Sequence, residues 1–416
     1  MNAAGKLRVD SLSAEAKARR LVDEVSFDAR PGEVCPSRQR GGSALVQGRL
    51  SNLIRRFPCR VVECGTMKTL CLLTLIAVLT ACRGSSSSAA SVVGTAVPPA
   101  ALGTSLPLTL VAEVDLPGRA VRFDYQDLDV ANGHLVIAHM NDASVVIVNT
   151  ADGSTVKVLP GIPTARGVVV ADDVGRIFVT SSPNKLVIID NSSLLEIARV
   201  DTGRSPDGVA WDPVHQTVGV SDQGDGAISL IGASGSGTRR QVPLGSETGN
   251  VVFDQSRSLF WITVIASAPP NRLVAVDPAT AKVVKTIRLP GCDGAHGLRI
   301  HPDAASALIA CENNSKVARV DIDGANAIVL GSSGAGPDVL AIDPGQGWLY
   351  VAAESGDLKV FDLSKPGLVN IDSEHPGADS HSVAVDAATH RVFFPLVAGP
   401  KGTPVLRIMR PSGASP

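Results

Sequence analysis

From residue 120 to residue 410 one pattern recurs. It reads GVVVADDVGRIFV from Gly167, GVAWDPVHQTVGV from Gly208, NVVFDQSRSLFWI from Asn250, GLRIHPDAASALIA from Gly297, VLAIDPGQGWLYV from Val339 and SVAVDAATHRVFF from Ser382. A weaker copy, DLDVANGHLVIAH, starts at Asp127. Successive copies lie 40, 41, 42, 47, 42 and 43 residues apart, the 47 reflecting an insertion near ASAPPN at 266–271. A period of this size means that neighbouring copies must stack to bury one another's apolar faces.

Within each copy a first run alternates apolar residues and ends in a turn, as at Asp212-Pro213, His301-Pro302 and Asp343-Pro344. Proline at the second turn position fixes φ there. A second apolar run follows (TVGVSD, ALIACE, LYVAAE), then a third ending near an aspartate (LVIIDN, LVAVDP, LKVFDL), then a short fourth (LEIARVDTG, VVKTIRLPG). Four strands in about 42 residues, seven times over, predict an all-β chain: a seven-bladed β-propeller with four antiparallel strands per blade. The last copy, after VLRIMR at 405–410, lacks an outer strand, and LTLVAEVDLPG at 108–118 has no inner strands of its own. These two are expected to pair and close the ring, giving one propeller over residues 106–411.

Composition agrees. Gly (40) and Pro (27) are frequent, as short strands and tight turns require. A net charge of −2 gives no electrostatic footprint for a nucleic-acid partner.

The one strongly apolar run, MKTLCLLTLIAVLTAC, spans Met67 to Cys82. Lys68 precedes an apolar stretch from Leu70 to Thr80 that is too short to span a bilayer as a helix. Its end, LTAC, looks like the lipobox of bacterial lipoproteins, in which the cysteine is lipidated and becomes the first residue. Residues 67–81 are therefore read as a lipoprotein signal peptide, and 82–105 as lipidated Cys82 followed by a flexible Ser/Ala/Pro-rich tether. Residues 1–66 are read as a mis-called or non-structural extension, with Met67 the start. The expected place is the cell envelope, anchored to the membrane by lipid.

Seven cysteines stand at 35, 59, 64, 71, 82, 292 and 311. After processing at Cys82, two remain unmodified, Cys292 and Cys311. An even pair in an oxidising compartment reads first as a disulfide. Free buried thiols and metal ligation are the alternatives.

The units lack the Trp-Asp pairs of WD40 repeats and the paired glycines of kelch repeats. LYVAAESGDLKVFDLS (349–364) and HSVAVDAATHRVFF (381–394) resemble the YVTN-type repeats of YncE-like periplasmic propellers. The resemblance covers about residues 107–410. It implies an exported binding or accessory protein on a scaffold that leaves the chemistry open; the domain is expected to be monomeric and to bind a ligand or a protein partner. Arg83, rather than aspartate, follows Cys82, so in a Gram-negative host the family pattern implies the outer membrane.

The starts of the inner strands and the ends of the second strands should meet on one face, around the central channel. The inner-strand starts give Arg166, Asp207, Gly249 with Asn250, His296, Asp338 and His381, and blade one adds Asp124, Tyr125 or Gln126. The second-strand ends add His139, Asn141, Asp222, Glu312, Asn313 and Glu354. Convergent polar groups in a concave site point to binding. His296, Asp338 and His381 come from three consecutive blades, and two imidazoles with a carboxylate suit one divalent metal ion. With it, His296 or His381 could serve as a base in a lactonase-like hydrolase or lyase. The plainer reading is a solvated channel mouth whose polar groups cap strand ends. His301 fills the slot that Asp212 and Asp343 hold in other copies, so it is expected in a turn at the opposite face, as are His215 and His390.

Overall fold

The computed structural model describes residues 7–8, 28–29, 108–268 and 270–412. The chain divides into two compact units, Met1–Ala100 and Ala101–Pro416. In the first, Leu7–Arg8 pairs antiparallel with Asp28–Ala29. The signal peptide, Cys82 and the tether expected from the sequence lie outside the described residues.

The second unit contains seven four-stranded antiparallel sheets, one per repeat. The inner strands of blades 1 to 7 are Gln126–Asp129, Val168–Ala171, Pro206–Asp212, Glu247–Asp254, Ala295–Ile300, Pro337–Asp343 and Ala384–Asp386. Blade 7 takes its outer strand from the start of the unit. Leu108–Asp115 pairs with Val405–Pro411, in register from Leu108 opposite Pro411 to Asp115 opposite Val405. Arg407 reinforces the joint through Glu113 and the Pro376 carbonyl.

No blade owns a core. The buried apolar side chains fall into seven clusters among the described residues, each shared between neighbouring blades. Second strands such as Thr217–Asp222, Ser306–Cys311 and Trp348–Ala353 are buried at every residue, because both of their faces meet other sheets. Outer strands such as Lys282–Leu289 are mostly exposed and bury only Ile287 and Leu289. Each large apolar side chain sealed between blades contributes about 1.5–3 kcal/mol. That energy exists only when the neighbour is present, so the ring is expected to be one cooperative unit.

The aspartate that ends the inner strands closes the following turn. Asp212 Oδ1 accepts from the Val214 and His215 amides at 2.8 and 3.1 Å. Asp343 Oδ1 does the same for Gly345 and Gln346, at 3.0 and 3.1 Å. This is the side-chain mimicry of a turn that favours aspartate there. His301 takes the slot as expected: it is buried, and its Nδ1 accepts from the Asp303 amide at 3.1 Å.

Blade 1 starts two residues earlier than the sequence pattern placed it. The Ala138 amide donates to the Tyr125 carbonyl just as the Thr180 amide donates to Gly167, both at 3.0 Å. Tyr125, not Asp127, is thus the counterpart of Gly167. Asp127 drew the alignment because DLDV imitates the alternation of the other copies.

Candidate functional site

Strand register explains why polar side chains meet at one end of the channel. In blades 3 to 6 the inner strand loses register with the second strand at the same place. Pairing passes from Pro206–Asp222 to Val209–Val220, from Thr248–Val264 to Val251–Ile262, from Ala295–Cys311 to Leu298–Ile309, and from Pro337–Ala353 to Leu340–Val351. Two residues therefore face one, which is a β-bulge, and a bulge re-aims the side chain it carries. The first bulge residues are Asp207, Gly249, His296 and Asp338. By the same register Asp124, Arg166 and His381 fill this position in blades 1, 2 and 7. Neighbouring blades crowd the bulge: a Cβ at Gly297 would overlap the Asp338 carbonyl oxygen. Thr263 of blade 4 pins the next bulge by donating to the His296 carbonyl at 2.7 Å.

His296 crosses the funnel floor. Its Nδ1 lies 2.9 Å from Asp338 Oδ1 and its Nε2 lies 3.0 Å from Asp207 Oδ2. All three side chains are buried. Burial alone would push the imidazole down, but Asp338 and Asp207 outweigh it and hold His296 well above its usual value. Burial would push both carboxyls up, but His296 holds them below the usual carboxylate range. The result is a buried imidazolium between two carboxylates.

A second group stands beside it. Arg122, in the segment entering blade 1, bonds Glu354 at 2.7 Å and lies 3.6 Å from Asp338. Asp124, His381 and Asp338 border the same space. Burial, only partly offset by Arg122, pushes the Asp124 carboxyl up to about 6. His381 is buried, and its Nδ1 lies 3.0 Å from the Asp379 carbonyl oxygen. Its Nε2 is buried with no hydrogen-bond partner among the described residues. Burial and Arg122 push His381 down, but Asp379, Glu354 and Asp338 raise it above its ordinary value. One ligand atom from each of Asp338, Glu354 and His381 lies within 4.8 Å of the others.

The structure thus distributes the sequence candidates unevenly. Asp207, His296, Asp338, Glu354 and His381 come together. Of the three options in blade 1, Asp124 takes the ring position. His296 has both ring nitrogens engaged, so the atoms that converge as a ligand set are those of Asp338, Glu354 and His381. Arg166 bonds Gln223 at 2.9 Å and helps lower Asp207. Asn250 stands one residue past its ring position. Its Oδ1 accepts from its own Val251 amide at 2.7 Å and occupies the space where Gly208 lacks a side chain.

The second-strand ends are mostly structural. Asp222 is buried and holds the Gly203 amide, Ser229 and Gln241 at 2.8, 2.6 and 3.1 Å. His139 is sealed against Phe123, ring centroids 4.0 Å apart. Glu312 and Asn313 donate backbone amides to Gly294 and Asp293 at 2.9 and 3.0 Å. Cys292 and Cys311 are joined as a disulfide. That bond and the two backbone bonds tie the loop before His296 to the end of the second strand. Arg122 escaped sequence reading because it precedes the first repeat copy. Its signal was two residues away: it stands just upstream of Asp124, which was a ring candidate.

No family model and no curated protein sequence matches the chain. Among solved structures it is similar to Kuenenia stuttgartiensis hydrazine synthase, with a TM-score of 0.61 at 15% identity, covering 73% of this chain and 98% of that one. It is also similar to virginiamycin B lyase from Staphylococcus aureus, with a TM-score of 0.60 at 12% identity, covering 73% of this chain and 99% of that one. At such identities the likeness is one of fold. The chain is a seven-bladed β-propeller, a scaffold on which unrelated chemistries are built.

Proposed function

We propose that this is an exported, lipid-anchored propeller of the YVTN type that binds a small ligand or a protein partner through its funnel, without turnover. The observation that carries the binding reading is the buried Nε2 of His381, with no hydrogen-bond partner among the described residues, beside Asp338 and Glu354. A buried polar atom without a partner costs about 1–3 kcal/mol, and a ligand that supplies the partner recovers it. His296 by contrast is already satisfied on both sides and serves to fix the floor. The lipobox at Leu79 to Cys82 supports export and anchoring.

Native mass spectrometry of the protein isolated from the envelope tests the binding reading. Wild type should carry a bound molecule, or retain a partner in a pull-down, and His381→Ala should lose it while staying folded. An identical set of bound species in both would reject the funnel as the site. Cys82→Ser tests the anchor: the variant should leave the membrane fraction.

A second reading, a metal-dependent hydrolase or lyase acting on lactones, is favoured by the convergence of Asp338, Glu354 and His381. One divalent ion would then replace the Arg122 guanidinium between the two carboxylates. Elemental analysis and Mn²⁺ titration decide it. Stoichiometric metal that is lost in Asp338→Asn supports this reading, and its absence in wild type rejects it.

A further inference from the structure

A separate cavity of about 440 Å³ runs along the inner strands of blades 1 to 5, from Asn250 at the funnel floor to Pro213 and Gln255 in turns of the opposite face. That volume suits a small organic molecule. The residues three positions beyond the ring form a second layer down the channel: Asp127, Val169, Ala210, Val252, Arg299, Ala341 and Ala384. Five of them are small or apolar, and the room they leave is bounded by Val252, Phe253 and Trp211. Arg299 is the one cation at this level.

Arg299 is half-buried. Its Nη1 donates to its neighbour's carbonyl, Leu298 O, at 3.1 Å, and among the described residues no carboxylate lies within ion-pair distance of it. Asp127 acts on it from across the channel, but both Asp127 oxygens already accept backbone amides, from Val170 at 2.8 Å and Leu128 at 3.0 Å. Burial also pushes that carboxyl up to about 6, which weakens it as a counterion. Tyr125 lines the same cavity, and its hydroxyl is buried with no hydrogen-bond partner among the described residues. Burial raises the phenol well above its usual value, so it stays a donor. A cation without a close counterion and a phenol without a hydrogen-bond partner among the described residues, beside Trp211 and Phe253, define a complement.

We infer that this lower chamber binds a small monocarboxylate with an apolar body, the carboxylate held by Arg299 and Tyr125 and the body packed on Trp211 and Phe253. A guanidinium paired with a carboxylate gives the strongest hydrogen bonds such a chamber can offer. This site is independent of the funnel reading, because it lies below the Asp207–His296–Asp338 bridge and uses none of those side chains.

Calorimetric titration of the folded propeller with phenylacetate, and with phenylacetamide as its uncharged counterpart, tests the assignment. Phenylacetate should bind saturably at one site and quench Trp211 fluorescence, and the amide should bind at least tenfold more weakly. That comparison uses wild-type protein and needs no variant to fold. Arg299→Met should lose at least tenfold in affinity for phenylacetate, Tyr125→Phe severalfold, and His381→Ala nothing. Absence of saturable phenylacetate binding, equal binding of the amide, or unchanged binding by a folded Arg299→Met protein would each overturn the inference.

Discussion

His296 Nε2 and Asp207 Oδ2 lie 3.0 Å apart across the funnel floor, although 89 residues and an intervening blade separate them in the chain. With Asp338 on the other ring nitrogen, the contact links blades 3, 5 and 6 through one imidazolium. It is a charged group buried on purpose, since each partner is expensive without the other two.

Removing His296 leaves two buried carboxylates facing each other. His296→Ala should therefore destabilise the propeller by about 3–5 kcal/mol at neutral pH. Its pH dependence has a definite sign. The folded pKa of His296 is raised, so its contribution is complete below about 6.5 and fades as pH rises through the folded value. Asp207 and Asp338 are lowered, so theirs is complete above about 4 and fades as pH falls through their folded values. Denaturant titrations of wild type and variant across this range should show the gap between them closing at both ends. A gap below about 1 kcal/mol at pH 7 would mean the bridge is not a stabilising element.

Asp124 behaves in the opposite way. Its carboxyl is pushed up to about 6, so the folded state prefers it protonated. Stability falls as pH rises from about 4 to 6, and above that the buried carboxylate costs on the order of 2–3 kcal/mol. Asp124→Asn should be more stable than wild type at pH 8 and nearly equal to it at pH 4. Equal melting temperatures at pH 8 would contradict the assigned shift.

The Cys292–Cys311 bond closes a loop with a sequence separation of 19. In the chain-entropy picture such a loop is worth about 3 kcal/mol. The double variant Cys292→Ser/Cys311→Ser should lose about that much in denaturant titration, and thiol titration of native oxidised protein should find both cysteines unreactive. The variant should also loosen the loop before His296, seen as faster hydrogen exchange of the Ala295 and His296 amides.

Ring closure makes the first strand essential. A protein starting at Leu116 lacks the strand that pairs with Val405–Pro411 and exposes an unpaired edge. It should fail to melt in one transition or should aggregate, whereas the intact propeller should melt once by circular dichroism. A truncated protein with wild-type cooperativity would refute closure as the source of stability.

Much of this was legible before any coordinates. The 42-residue period fixed the number of blades because apolar alternation and turn residues repeat with it. The missing outer strand after Val405–Pro411 identified Leu108–Asp115 as its partner, and the pair of cysteines read first as a disulfide. Period also placed Asp207, His296, Asp338 and His381 at equivalent positions, since residues in register share a height on the channel. Blade 1 was misaligned by two residues because DLDV mimics the pattern, and Asn250 shared the blade 4 ring position with Gly249 until the bulge register placed it one residue beyond.

What the sequence by itself determined was therefore local and periodic: strand content, blade count, ring closure and which residues share a layer. Tertiary structure alone decided which side chains of a layer touch. A repeat gives height on the axis but says nothing of direction across a channel, and the bulges, not the alternation, set that direction. So only the folded ring could show that His296 is spoken for by Asp207 and Asp338, that Arg122 from outside the repeats completes the group, and that His381 keeps one nitrogen to offer.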